Sequence, residues 1–405
     1  MPITVKASAG VWVPLNVTAP PYGPGHLYDT WDAAHRVHGT CTGRGWRFGW
    51  LDTTEDSGPA LSNARSLCSL LRGTNMLFIG DSLSKQLYES LRARLRQERY
   101  ATGSAAGNAR CWSHGRCEGA EPLLCSGHCA VRTGDLEFSS DYSSCDDGAT
   151  LFMAEAFGWV TDASAFEASD TRANHCARRV RRVPSEFGLE VIPPSHLTQM
   201  LATAIRPRVA PDGKLRTPSR LVVVYNQFAH IHQFITSLRD CYMTHGGVAS
   251  KEASSAATRD ALRFWAYDQG QWASLLQQAQ RTVNASGRRI DVYLRTSSAA
   301  CDAFCRAPSG APRTPLDPAT LIHGTMSFEG EYSHQSVYWI NDMARAGFRA
   351  RGHGVVDTEA MMSVRVDAYP ASQNGTGDKL HFCQPGVPDW ALDILVRRIA
   401  QDARG

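Results

Sequence analysis

The chain has 405 residues, of which 43% are hydrophobic, 20% charged and 9% aromatic, a composition that builds a sizeable packed core and excludes global disorder. Its 42 basic and 39 acidic residues leave a formal charge of +3 with histidine neutral, which excludes the basic surface of a nucleic-acid binder or a polybasic membrane-surface protein. No run approaches the roughly 20 apolar residues of a membrane span, and the opening MPITVKASAGVWVPLNV lacks the charged head, apolar stretch and cleavage site of a secretion signal.

Residues 1–60 read as a turn-rich, tryptophan-rich segment packing on a core that occupies 61–405. Trp12, Trp31, Trp46 and Trp50 stud this stretch; burial is the commoner fate of tryptophan, and stacking on sugars the alternative. The periodic segment 61–72, closed by Gly73, predicts a helix. Met76–Ile79 predicts a buried strand, and Leu83–Arg96 an amphipathic helix after it. Residues 101–148 hold five cysteines among many Gly and Ser and read as a disulfide-stapled excursion of loops. Further strands are predicted at 150–153, 221–224, 290–294 and 354–357, with helices at 195–205, 256–281, 333–347 and 389–402. Strands alternating with helices predict an α/β fold, a parallel sheet covered on both faces, with insertions at 101–148, 160–190 and 300–330.

Twelve dispersed cysteines suit a disulfide framework in an oxidising compartment. The sequons at Asn16, Asn284 and Asn374 point the same way and mark these residues as glycosylation candidates. Cys111, Cys117, Cys125 and Cys129, with His114 and His128 nearby, lack the paired C-x2-C knuckles of a structural zinc site, so disulfides are the better reading. His230 and His232 would share a face of an extended strand, but no third ligand is implied and no metal is expected.

The sharpest chemical signal is Phe78-Ile-Gly-Asp-Ser82-Leu83. A serine at the turn from a buried strand into a helix sits at the sheet edge where ligands bind, beside helix N–H groups able to hold an oxyanion. The competing role is a Ser or Asp helix cap. The second signal is Asp378-Lys-Leu-His381, whose spacing lets the carboxylate hold Nδ1–H of the imidazole and leave Nε2 free to take a serine proton.

These blocks resemble those of the trichome birefringence-like / PC-esterase family. The stretch Cys68–Leu91 is similar to its GDS block, and Asp378–Trp390 to its D-x-x-H-W-C-L-P-G-x-P-D-x-W block. In the latter, Phe382 replaces a tryptophan, Gln384 replaces a leucine, and Trp390 follows Asp389 directly. Val222–Asn226 resembles the family's strand ending in Asn, Arg295-Thr-Ser297 its R-T-S segment, and Met361–Asp367 the R-x-D stretch before the last block.

The resemblance implies a three-layer α/β/α SGNH-hydrolase-like fold with a central parallel sheet and disulfide-stapled insertions. It implies acetyl transfer to a sugar hydroxyl of a polysaccharide or glycan, without a cofactor, by plant-type Golgi enzymes. On the matching positions, Ser82 is the nucleophile, His381 the base and then acid, and Asp378 its orienter. The N–H groups at Asp81-Ser82, the Asn226 side chain and Gly158 are the oxyanion candidates, with strand-end capping the other role open to Asn226. Arg295 and Arg365 either contact substrate or buttress the site. The expected partners are an acetyl donor and a glycan, with no nucleic acid. The expected place is the secretory pathway, Golgi lumen or extracellular space, with a membrane anchor only if an upstream segment is missing. Two rivals remain: a carbohydrate acetylesterase using water as acceptor, and a non-catalytic polysaccharide-binding protein.

Overall fold

A computed structural model of the chain describes residues 10–15, 47–52, 63–100, 129–133, 136–142, 150–156, 175–176, 194–209, 215–226, 231–284, 287–298, 315, 334–369, 380–384 and 386–403. In chain order these include β1 (Gly10–Pro14), β2 (Phe48–Asp52), α1 (Ala64–Leu70), β3 (Thr74–Gly80), α2 (Ser82–Tyr100), β4 (Cys129–Thr133), β5 (Leu136–Tyr142) and β6 (Thr150–Ala156). They continue with α3 (Pro194–Ala204), β7 (Arg208–Val209), β8 (Leu215–Arg216), β9 (Arg220–Asn226), α4 (Ile231–Gly246), α5 (Ser250–Asn284) and β10 (Arg289–Arg295). The last are α6 (His334–Arg349), β11 (Gly354–Val356), α7 (Glu359–Ser363) and α8 (Val387–Asp402).

The main sheet has seven strands in the order β11-β10-β9-β3-β6-β5-β4. β11, β10, β9, β3 and β6 run parallel, and β5 and β4 extend the β6 edge antiparallel. The central parallel sheet expected from the sequence is thus present in five strands, and the two antiparallel strands at its β6 edge are an addition the sequence reading did not include. Within 101–148, read as loops, lie the paired strands β4 and β5. Thr133 of β4 pairs with Leu136 of β5, and the Gly-Asp spacing in the sequence between them is the signal that segment carried.

Every residue of β3 and β9 is buried, which is why both are nearly continuous apolar runs with no alternation. Leu77, Ile79, Val223 and Tyr225 pack with Leu201 of α3, Phe234 of α4, Trp272 of α5 and Phe348 of α6. Met76, Phe78, Val222 and Val224 point the other way, onto Leu67 of α1, Leu91 of α2 and Leu395 of α8. Helices thus cover both faces.

Numbering the five parallel strands along the chain gives the order 2-1-3-4-5, because β3 lies between β6 and β9. Connections leave β3 and β9 toward opposite faces, so their C-terminal ends form the switch point, the place where ligands bind in such sheets. Gly80 ends β3 directly opposite Asn226, the end of β9.

The hairpin of β1 and β2 lies against the α8 side. Trp12 meets Trp50 edge to face at 5.5 Å and Trp390 at 6.3 Å, and its indole N–H donates to Met361 O at 2.9 Å. These two tryptophans serve packing; Trp31 and Trp46 lie outside the described residues. Cys176 is bonded to Cys241 of α4, and Cys68 and Cys383 are also disulfide-bonded. Among the described residues no helix is long and apolar enough to cross a membrane.

Candidate active site

At the end of β3 the chain turns sharply into α2. The Asp81 carboxylate accepts the Leu83 N–H at 3.0 Å, while its carbonyl accepts Ser84 N–H at 2.9 Å and Lys85 N–H at 3.1 Å. That is the pattern of a helix N-cap residue. The capping role open to either residue thus falls to Asp81, and Ser82 occupies the first helical position with its hydroxyl uncommitted to the helix.

That hydroxyl meets His381. Ser82 Oγ and His381 Nε2 are 2.6 Å apart, with the residues only 5% and 6% exposed. A distance this short between a hydroxyl and an imidazole nitrogen is a hydrogen bond with a direct route for the serine proton. Asp378 lies outside the described residues, as do Gly158, Asn16 and Asn374. Asn284 is described: it is exposed at the end of α5, and its side-chain oxygen accepts the Ile290 N–H at 2.8 Å.

His381 sits on a short segment that has no secondary structure of its own and is held by α2. The Gln86 amide brackets Phe382, donating to its carbonyl at 2.7 Å and accepting its N–H at 3.3 Å. Gln384 donates to Gln86 O at 2.8 Å and to Ser90 Oγ at 3.0 Å. Cys383 N–H donates to Ala368 O at 2.8 Å, and the Phe382 ring packs on Tyr369 with centroids 4.5 Å apart. Farther along, Arg94 of α2 pairs with Asp393 of α8 at 2.8 Å. Ser82 and His381 therefore ride on elements laced along their length.

Gln86 escaped the sequence reading, and Gln384 entered it only as a departure from the family block. The signal for Gln86 was its pairing with Ser90, one turn on, beside Leu87 and Leu91 on a stripe that is otherwise apolar. Gln86→Leu leaves the Phe382 N–H and carbonyl buried without partners. We expect a loss of about 1–3 kcal/mol in denaturant unfolding and a fall in turnover with KM unchanged. A variant with wild-type kcat would remove Gln86 from the support of His381.

Asn226 is fully buried at the end of β9. Its carbonyl accepts Ser84 Oγ at 3.0 Å and Asp81 N–H at 3.3 Å. The latter bond commits the Asp81 N–H, so the oxyanion set drawn from sequence is corrected: Asp81 is the cap, and the Ser82 N–H remains, one of the helix-terminal donors without an intrahelical acceptor. The Asn226 amide donates one N–H to Arg295 O at 2.8 Å and accepts from Arg295 Nη2 at 2.7 Å, leaving its second N–H.

Arg295 and Arg365 are fully buried and the partners they show are protein groups, which fits the buttressing role. Arg365 makes a two-pronged bond to Asp367 at 2.8 and 3.0 Å and lies 4.2 Å from the Trp12 ring centroid, pinning the N-terminal hairpin. His232 lies in α4 and not on an extended strand. His230 itself, like all of the six Cys and His residues near 111–129 except Cys129, lies outside the described residues, and among the described residues no metal-binding cluster occurs.

On the far side of Arg295, Thr296-Ser297-Ser298 continues from the end of β10. Asn341 of α6 clamps Ser297, accepting its N–H and donating to its carbonyl, both at 2.9 Å. Arg345 pairs with Asp357 at 3.0 Å and with Glu359; burial nevertheless lifts the Glu359 carboxyl to about 7. This half-buried cluster ties α6 to the chain that follows β11.

Together, fold and site define a doubly wound α/β protein with a hydroxyl–imidazole pair at its switch point. The chain matches no protein-family model and no curated protein.

Proposed function

We propose that the protein is a serine-dependent O-acyltransferase of SGNH-like architecture that moves an acetyl group to a sugar hydroxyl. The observation carrying this reading is the 2.6 Å contact between Ser82 Oγ and His381 Nε2 at the switch point of the sheet. Acyl-ester chemistry is what such a pair performs best beside a helix N-terminus. Acetyl as the group and sugar as the acceptor rest on the likeness of the GDS and D-x-x-H blocks to the PC-esterase family.

The reaction is a double displacement. Ser82 Oγ bonds to the acetyl carbonyl carbon while its proton passes to His381 Nε2. The tetrahedral oxyanion is held by the Ser82 N–H and the free N–H of Asn226; when it collapses, the donor's leaving group departs with the proton from His381. A sugar hydroxyl then gives its proton to His381, its oxygen bonds to the acetyl carbon, and Ser82 leaves and recovers that proton. Asp378, three residues before the base, takes the role of holding Nδ1–H.

The disulfide-bonded Cys68, Cys176, Cys241 and Cys383 support a secretory-pathway location, with the Golgi lumen as the proposed compartment.

The test is mass spectrometry of Ser82 after exposure to an acetyl donor, with and without oligosaccharides. An acetyl adduct on Ser82 that disappears as acetylated sugar forms is the expected result. Release of free acetate instead makes the protein an acetylesterase, and an unmodified Ser82 sinks the enzyme reading. In the same assay Asn226→Ala should lower turnover by about 100-fold or more, and an unchanged rate would remove Asn226 from the mechanism.

A further inference from the structure

Arg295 carries a guanidinium with no exposure to solvent. Burying a charge is costly unless a counter-charge and hydrogen bonds meet it. Its Nη2 donates to Asn226 Oδ1 at 2.7 Å, and Nη1 donates to Thr296 O at 3.3 Å and lies 3.4 Å from Met362 Sδ. Its Nε has no partner. Arg94, Arg220, Arg345 and Arg365, by contrast, each pair with at least one carboxylate. Among the described residues Arg295 has no carboxylate within ion-pair distance. Burial pushes its pKa down to about 10, with Asp81 acting only through space in the opposite sense. A cation with no ion-pair partner among the described residues, and only the more distant Asp81 carboxylate favouring it, therefore sits immediately behind the amide that ends β9.

We propose that Arg295 is the positioning residue of the oxyanion hole, a buried cation that orients and polarises the Asn226 amide toward the oxyanion that forms at Ser82 and acts through that amide. This rests on the reading of Ser82 as nucleophile. The two-way bonding between Arg295 and Asn226 admits one orientation of the amide, because a flipped amide would set NH2 against the guanidinium and oxygen against the Arg295 carbonyl. Donation into Oδ1 also draws density from the amide nitrogen and makes its remaining N–H a stronger donor. Because the amide is held before reaction, no reorganisation is needed as negative charge develops. The cation acts in the transition state more than in the ground state, where the acyl carbonyl carries little charge, so its effect falls on kcat.

The experiment compares wild type, Arg295→Met, Arg295→Lys, Asn226→Ala and the Arg295→Met/Asn226→Ala double variant. Two rates are read: labelling of Ser82 by an alkyl fluorophosphonate, and hydrolysis of 4-nitrophenyl acetate. In labelling, the Ser82 Oγ–P bond forms, the P–F bond breaks, fluoride leaves and the serine proton goes to His381. Arg295→Met should lower both rates by about 10- to 100-fold, up to the whole worth of the Asn226 donor, with KM unchanged. Its midpoint of unfolding should hold or rise, since an apolar side chain replaces an unpaired buried charge. The double variant should be no slower than Asn226→Ala alone, because both changes remove the same donor. Wild-type rates in Arg295→Met, multiplied losses in the double variant, or a loss appearing in KM alongside a fallen midpoint would each overturn the proposal. If Arg295→Met does not fold, Arg295→Lys decides: reduced kcat at unchanged KM supports it, and wild-type kcat overturns it. Wild-type protein that takes no label at Ser82 overturns the nucleophile reading and the proposal with it; labelled wild type with unaffected arginine variants overturns the proposal alone.

Discussion

His381→Gln should reduce turnover on the order of 10,000-fold, about 5.5 kcal/mol of transition-state stabilisation, while the protein stays folded. Glutamine fits the space and can still hydrogen-bond to Ser82 Oγ, but it cannot accept the hydroxyl proton and later return it. The contact of 2.6 Å means that the proton moves along an existing bond, so the variant loses chemistry and keeps geometry. Ser82→Ala should fall equally far. Combining the two should cost no more than either alone, because nucleophile and base act as one unit. The measurement is the hydrolysis of 4-nitrophenyl acetate, with circular dichroism to show that the fold is kept. Retention of more than about a tenth of the wild-type rate in His381→Gln would be incompatible with its role as base, given the worth of general base catalysis.

The pair itself was legible in the sequence because two local patterns carried it. Gly80-Asp-Ser82 closes a continuous apolar strand and opens a helix, and Asp378-x-x-His381 has the spacing of a carboxylate that orients an imidazole. The parallel strands were legible for the same reason: β3 and β9 are apolar throughout, as strands covered on both faces must be. Their order was not. That β3 stands beside β9, bringing Ser82 to Asn226, depends on crossover connections that local pattern does not encode. The strands β4 and β5 were hidden by a segment dense in Cys, Gly and Ser, whose composition resembles that of a loop. Arginines were the least legible. Arg295 and Arg365 look like surface residues in a sequence, and only tertiary packing makes one the partner of an amide and the other the partner of Asp367 and Trp12.

Gly80→Ala should be the most damaging single methyl addition along this sheet. A Cβ built at Gly80 falls 1.5 Å from Asn226 O, 2.6 Å from Asn226 C and 2.5 Å from Ser84 Oγ. Two of those atoms are backbone of the neighbouring strand, so no rotamer change relieves the clash. The residue also has φ +151, a conformation that side chains rarely adopt. β3 and β9 would have to separate at their C-terminal ends, yet both are buried along their whole length and packed by helices on either face. Close-packed interiors resist such a shift. The expected cost is about 4 kcal/mol or more in denaturant unfolding. Material that does fold should be at least about 100-fold slower, since a displacement near 1 Å at reacting groups has that effect, and Gly80 immediately precedes the Asp81 cap that sets Ser82. Gly247→Ala is the control: φ is +60 there but nothing lies within 4 Å, so it should cost only about 1–2 kcal/mol of left-handed backbone strain and leave turnover alone. If the two alanine variants unfold at the same denaturant concentration, the close approach of β3 to β9 is not what makes glycine necessary at the mouth of the site.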